Sequence, residues 1–428
     1  MADGGSDGRN TGGNVVRRLG TADAVVLGLS SMVGAGVFAA FAPAAAAAGS
    51  GALIGLVVAG IVAYCNARSS AALAALYPES GGTYVYGRER LGPWWGFTAG
   101  WSFVIGKTAS CAAMALTFAS YAAPEHASSL AAAAVAALVA VNCFGVTKTA
   151  GAARILLGLA LLALVVSLGA VLGGVELDAG RAFDPAHSGG ARGILQSAGM
   201  LFFAFAGYAR IATMGGEVRE PRKTIPRAIP IALAVALVLY AVVGIGVLLA
   251  LGPERLAGSP APLADAVRAG RFAGLAPAAG AGAAVASLGA LLALITGVGR
   301  TTLAMARHRD LPRWLGAVHA HHHVPHRAEL VLGGVVCALV LAVDLRAAIG
   351  FSSFGVLVYY AVANASAFTL TREQRGFPRW LTVLGLAGCL LLATTLPTGS
   401  VLIGLGVLAL GLLGRALARF WRAGPAGR

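Results

Sequence analysis

Residues 28–38 read GLSSMVGAGVF, a glycine-rich interruption of an otherwise continuous apolar segment. Glycine permits backbone geometry that a regular helix excludes. A second interruption, FFAFAGYAR at 202–210, lies in another apolar segment about 170 residues further on. Where a helix unwinds in hydrocarbon, each freed N–H or C=O is costly unless something polar meets it. Paired interruptions in matching places of two halves therefore point to a binding site near the membrane midplane. For either motif alone the alternative is helix packing, because small-xxx-small patterns let membrane helices approach closely.

The composition places the whole chain in a bilayer. Hydrophobic residues make up 58%, charged residues 11%, and mean hydropathy is +0.79, which excludes a soluble domain with its roughly 25% charged content. Apolar stretches long enough to span, about 20 residues each, run over 24–46, 51–76, 94–121, 128–146, 155–174, 193–214, 228–252, 277–305, 328–343, 348–370, 380–396 and 398–420. The fold class is thus an all-α integral membrane protein of about twelve transmembrane helices. Residues 1–20, rich in Gly, Asp and Asn, read as a disordered cytoplasmic tail, and 421–428 as a cytoplasmic C-terminus. The first apolar segment is longer than a signal-peptide core and lacks a cleavage site, so it stays in the protein.

The formal net charge of +15 raises a nucleic-acid partner, but the location of the charges decides against it. Basic clusters at Arg17 and Arg18, 219–227, 307–313, and Arg415, Arg419 and Arg422 fall on one side when both termini are cytoplasmic, as the positive-inside rule requires. They read as topology determinants that meet anionic lipid. Cys65, Cys111, Cys143, Cys337 and Cys389 are scattered singly through apolar segments and read as small packing residues.

About five spans start at each interruption. Because five is odd, the second set enters from the opposite side, the condition for an inverted repeat. The organisation expected is a first five-helix repeat over 21–175, a second over 192–370, with the first helix of each (helices 1 and 6) broken, and two additional C-terminal helices over 380–420.

At these positions the chain resembles the amino acid-polyamine-organocation (APC) permease superfamily. GLSSMVGAGVF is similar to that superfamily's first-helix motif. FFAFAGYARIATMGGEVREPRKTIPRAI at 202–229 resembles its sixth helix and following loop, RTTLAMARHRDLPRWLGAVH at 300–319 the end of its eighth helix, and YPESGGTYVYGRERLGPWWGFTAGW at 77–101 the loop into its third. The resemblance covers nearly all of 15–420. It implies a LeuT-like five-plus-five inverted repeat with two further helices, moving amino acids or related amines by alternating access.

The chemistry of the breaks suits a zwitterion. The half-helix that restarts after Val33 presents the N–H groups of Gly34, Ala35 and Gly36 at a positive dipole end, apt for a carboxylate. Carbonyls near Ser30, Phe203 and Phe205 would receive the ammonium. Glycine at 34, 36 and 207 keeps the walls low. Tyr208 stands where the family commonly places an aromatic that covers substrate; the alternative is a packing or interfacial tyrosine. No acidic residue lies at either break, which favours neutral over cationic substrates.

Lys107 falls near the middle of the third helix, where a lysine is costly and ordinarily faces an interior cavity. Desolvation disfavours its charged form, the condition under which it would cycle a proton. Proton-dependent members of the family carry a fifth-helix lysine, and here the aligned stretch offers Ala160 instead. Lys107 is therefore the candidate for proton coupling, against a structural or snorkelling lysine. Arg210 reads as an inner gate or a surface-reaching side chain. Thr296 is a possible cation-site oxygen, together with Thr301 and Thr302, should sodium replace the proton.

The histidines His319, His321, His322, His323 and His326 have irregular spacing in a loop and read as solvated, with no metal. No intramembrane His, Asp or Glu group, nucleophile motif or phosphate-binding loop is evident, so neither an enzyme nor a cofactor is expected. The expectation is a secondary active transporter of the cell membrane, a proton-coupled symporter of neutral L-amino acids. The alternatives are an amino acid or polyamine exchanger, or a membrane sensor that binds amino acid without flux.

Overall fold

In a computed structural model of the protein, residues 19–77, 81–144, 150–176, 180, 188–212, 218–322 and 324–423 are described. Arg17, Arg18, His323 and most of the N-terminal tail lie outside them. Each expected apolar segment corresponds to a helix. The first segment comprises α1 (Thr21–Met32), α2 (Ala35–Ala39) and α3 (Phe41–Ala48), followed by α4 (Ala52–Leu76). A short helix α5 (Thr83–Leu91) leads into α6 (Pro93–Ala122), α7 (Ala127–Cys143) and α8 (Ala150–Gly174). The second broken segment is α9 (Gly190–Phe205), a single tight turn at Ala206–Tyr208, and α10 (Ala209–Ala212). Then come α11 (Pro221–Gly258), α12 (Pro262–Arg268), α13 (Ala276–Arg307), α14 (His326–Ala342), α15 (Leu345–Phe368), the short α16 (Arg372–Arg375), α17 (Trp380–Thr395) and α18 (Thr398–Ala423).

Among the described residues, 10 helices are long and apolar enough to cross a membrane. The other two expected spans are α14, with 17 residues, and α17, with 16. Helix α11 starts seven residues before its expected span because Pro221 stands at its first position, where a missing N–H costs nothing. Its apolar run ends at Gly252, whose φ of 70° breaks the helix just before Pro253.

Large apolar side chains cover the outside: Ile155, Leu159, Leu402, Leu410 and Val238 are all exposed. Such a surface is unstable in water and natural in hydrocarbon. Inside, α6 packs on α13 and α15, and α4 packs on α9 and α11. The broken first segment lies between α11, α8 and the turn at 206–208. Small residues line these contacts, with Gly106 against Gly355 and Gly55 against Ser197, as expected where helices associate by close approach rather than by expelling water.

The end of the bundle that carries the loop after α13 is held by a charged cluster. Asp310 accepts from the Tyr84 hydroxyl at 2.8 Å, pairs with Arg88 at 3.3 Å and with Arg415 at 2.7 Å. The Arg415 guanidinium also lies over the Trp94 and Phe97 rings, 4.7 and 4.8 Å from their centroids. Burial, and next the Asp310 carboxylate, push the Tyr84 phenol upward in pKa. The cluster fastens α5 and the last helix to the end of α13 through groups that water barely reaches, with Arg415 and Asp310 side chains 4% and 6% exposed.

Candidate functional site

The two interruptions meet. Helix α1 stops at Val33 (φ −79°, ψ 78°), Gly34 adopts φ −145° and ψ −140°, and helix resumes at Ala35. In the second segment the α-helical run ends at Phe205, and the tight turn Ala206–Tyr208 intervenes. A side chain at Gly36 would place its Cβ 2.6 Å from Ala204 Cα, and one at Gly207 would meet Ser31 O at 2.4 Å. Both glycines are thus required where backbone touches backbone. Gly34 faces α13, its would-be Cβ 2.8 Å from that of Ala290.

The polar groups released by the breaks are served by side chains from outside them. Tyr240 of α11 is fully buried, and its hydroxyl is 2.8 Å from Met32 O and 2.8 Å from Ala204 O. One hydroxyl carries a single hydrogen, so it donates to one carbonyl at a time; Met32 O also accepts the Gly34 N–H at 3.0 Å, so of the three N–H groups expected to face a carboxylate, that of Gly34 is already taken. Lys107 donates from Nζ to Ala206 O at 3.2 Å. The side chain singled out as a charge in mid-membrane therefore reaches the second break. Phe203 O accepts the Ala206 N–H, so the carbonyls that face Tyr240 and Lys107 are those of Ala204 and Ala206, flanking Phe205. The hydroxyls of Ser30 and Ser31 turn back to Leu27 O.

Aromatic rings close this layer. Tyr208 is fully buried and stacks on Tyr360, with centroids 5.1 Å apart and planes at 28°. Phe202 meets Tyr360 edge-on at 5.8 Å, and Phe205 meets Tyr240 at 5.1 Å. In this conformation Tyr208 is part of a packed stack shared with α15.

A cavity of about 390 Å³ begins on the α1 side of the first break and runs to the loop between α13 and α14. Ser30, Ser31, Val33, Thr296, Arg210 and Glu329 lie on its wall, with Asn142 and Arg300. Of the expected site residues, Ser30, Val33 and Thr296 line this cavity. Gly34, Ala35, Gly36, Phe203, Phe205, Gly207, Tyr208 and Lys107 belong to the packed layer between the breaks. The Thr296 hydroxyl exchanges hydrogen bonds with the Asn142 amide at 3.1 and 3.2 Å and reaches Leu292 O at 3.1 Å.

The expectation of no intramembrane carboxylate is corrected by Glu329. It sits in the first turn of α14, is fully buried, and neither carboxylate oxygen has a hydrogen-bond partner. The expected span 328–343 contains it one residue from its start, but as a single acid beside His326 and Arg327 it was not singled out. Tyr240 and Tyr360 were also missed, since a tyrosine in an apolar run carries no signal of what its hydroxyl meets. In the histidine loop, the His319 ring nitrogen accepts the His321 and His322 N–H groups at 3.3 Å each. Desolvation, then His322, His326 and His321, hold its pKa down. Among the described residues no three His, Cys, Asp or Glu side chains are placed to share a metal ion.

Tyr240→Phe is expected to lower stability in detergent by roughly 1–3 kcal/mol, because it removes the one donor shared by two buried carbonyls. A denaturant titration of the variant that matches wild type would show that water serves those carbonyls equally well.

Two unwound helices, apposed in a membrane bundle and flanked by a cavity that carries polar and charged side chains on an apolar wall, define a solute transporter class. A family model described as amino acid permease matches residues 19–411, and the chain belongs to the amino acid permease family. It is 57% identical over 403 residues to an uncharacterized transporter of Mycobacterium tuberculosis, covering 94% of this chain and 91% of that one. It is 24% identical to the branched-chain amino acid permease of Bacillus subtilis, covering 85% and 83%, and 27% identical to cationic amino acid transporter 7 of Arabidopsis thaliana, covering 84% and 66%. The protein is a multi-pass membrane transporter of amino-acid type.

Proposed function

We propose that the protein is a secondary active transporter of the cell membrane, with both termini cytoplasmic, that carries neutral L-amino acids in symport with protons. The observation that carries this reading is the apposition of the two breaks, with Met32 O and Ala204 O sharing one Tyr240 hydrogen. A substrate ammonium is the natural further donor to these carbonyls, and the N–H groups of Ala35 and Gly36 that open α2 supply the complementary end for a carboxylate. The five-plus-five inverted repeat would alternate this site between the two faces. The cavity beyond Ser31 is then the cytoplasmic way out. Val33 and Ala290 offer apolar wall there for a side chain, and two arginines, Arg210 and Arg300, stand against the single acid Glu329; this supports a neutral over a cationic substrate. The proton is assigned to Lys107 through its contact with Ala206 O.

Purified protein in liposomes should take up a radiolabelled neutral L-amino acid, with other neutral amino acids as the strongest competitors. An inward proton gradient should raise uptake, and sodium should leave it unchanged. Stronger competition by lysine, arginine or a polyamine would overturn the substrate class. Sodium stimulation would move the coupling site to Thr296, and binding without flux would make the protein a sensor.

A further inference from the structure

Glu329 lines the cavity described above but takes no hydrogen bond there, and its burial demands an explanation. A carboxylate withdrawn from water without hydrogen bonds is among the costliest groups to bury, and neutralisation by a proton is the usual relief. Here the side chain packs on α13, where a Cβ at Gly299 would lie 3.0 Å from Glu329 Cγ and 3.3 Å from Oε1. It nevertheless lies on the wall of the 390 Å³ cavity, so a modest opening would bring water to it. The charged or titratable groups around it are Arg300 from α13, Cys143 at the end of α7, Arg210 below the second break, and His322 and His326 on its own side of the loop. Arg300 favours the carboxylate form across the cavity, while the apolar packing favours the acid. The group is therefore poised between two states that the wetting of the cavity selects.

We infer that Glu329 is a proton-binding site of the inner cavity, the group from which the coupling proton leaves toward the loop side. This rests on the symport reading and deepens it. Lys107 contacts the second break and Glu329 contacts the exit, so the two act on opposite ends of one cycle. The step is a simple ionisation: the cavity-facing carboxylic acid loses its proton to water as the cavity fills, and it regains one when packing returns. Nothing is oxidised or reduced.

The test uses the full protein in liposomes, with external pH fixed and internal pH varied. Wild-type net uptake should rise as the internal side is made more alkaline. Glu329→Gln should take up substrate at a rate indifferent to internal pH while keeping its response to external pH, and Glu329→Asp should restore the internal response in part. A wild-type internal-pH profile in Glu329→Gln would overturn the inference. Infrared difference spectra give a readout independent of transport: the purified wild-type protein should show the carbonyl stretch of a protonated carboxylic acid that Glu329→Gln lacks. Absence of that band would overturn the inference by itself. If the band is present but wild-type uptake ignores pH on both sides, the symport reading fails while the protonated acid stands.

Discussion

Gly36→Trp is expected to abolish amino acid binding, and Gly36→Ala to weaken it roughly tenfold to a hundredfold, the affinity equivalent of the about 1–3 kcal/mol that overpacking costs. The reason lies in what the added atom meets. A Cβ at Gly36 stands 2.6 Å from Ala204 Cα and 2.7 Å from Ala204 Cβ. The first obstacle is backbone, which cannot rotate away as the tip of a long side chain would. The two breaks must separate, and with them Met32 O and Ala204 O, which now share one Tyr240 hydrogen. Binding is lost through the geometry of both breaks at once rather than by obstruction of a preformed hole. Gly406 supplies the control, since an added Cβ there meets nothing within 4 Å. Gly406→Ala should bind as wild type does. Isothermal titration or scintillation proximity on purified protein reads both variants, and a folded Gly36→Trp with wild-type affinity would place the site elsewhere.

The same glycines show how far the sequence reaches. A glycine run inside an apolar segment is legible because its cost in a regular helix is intrinsic to the residue, and the breaks fall where the runs predict, at Val33–Gly34 and at Ala206–Tyr208. What each glycine is for was not legible. Gly36 meets Ala204, and Gly207 meets Ser31, across a sequence separation that no local pattern encodes. Lys107 announced itself because charge in mid-membrane is rare, but the carbonyl it serves depends on how α6 leans on the second break. Glu329 lies inside the expected span 328–343 but close to its charged end, and only the packing of α14 against α7 and α13 shows that its side chain is withdrawn from water rather than reaching the surface. The buried polar residue of ordinary type, such as Tyr240, leaves no trace in a periodicity or a composition.

Replacement of Lys107 by alanine is expected to remove the pH dependence of uptake while leaving exchange of internal for external substrate intact. The ammonium has three donors and no acceptor, and it places one of them on Ala206 O at the turn that separates the two halves of the broken second segment. While Lys107 is charged, that carbonyl is tethered to α6. When the proton leaves, the neutral amine is a weaker donor and the tether slackens, so the turn at 206–208 is freer to shift together with Tyr208 and Gly207. Each protonation state thereby favours one disposition of the break, and a ligand that binds two states unequally shifts the population between them. On the symport reading the proton is such a ligand. Alanine removes the tether permanently, so on that reading the conformational balance should no longer respond to protons, while the carbonyls of Met32 and Ala204 are untouched and exchange, which needs no net proton movement, should continue. Lys107→Arg separates charge from titration, because a guanidinium stays protonated; it should bind substrate and fail to respond to pH. An alanine variant with the wild-type pH profile would remove Lys107 from coupling and leave it as a structural clamp on the turn at Ala206–Tyr208.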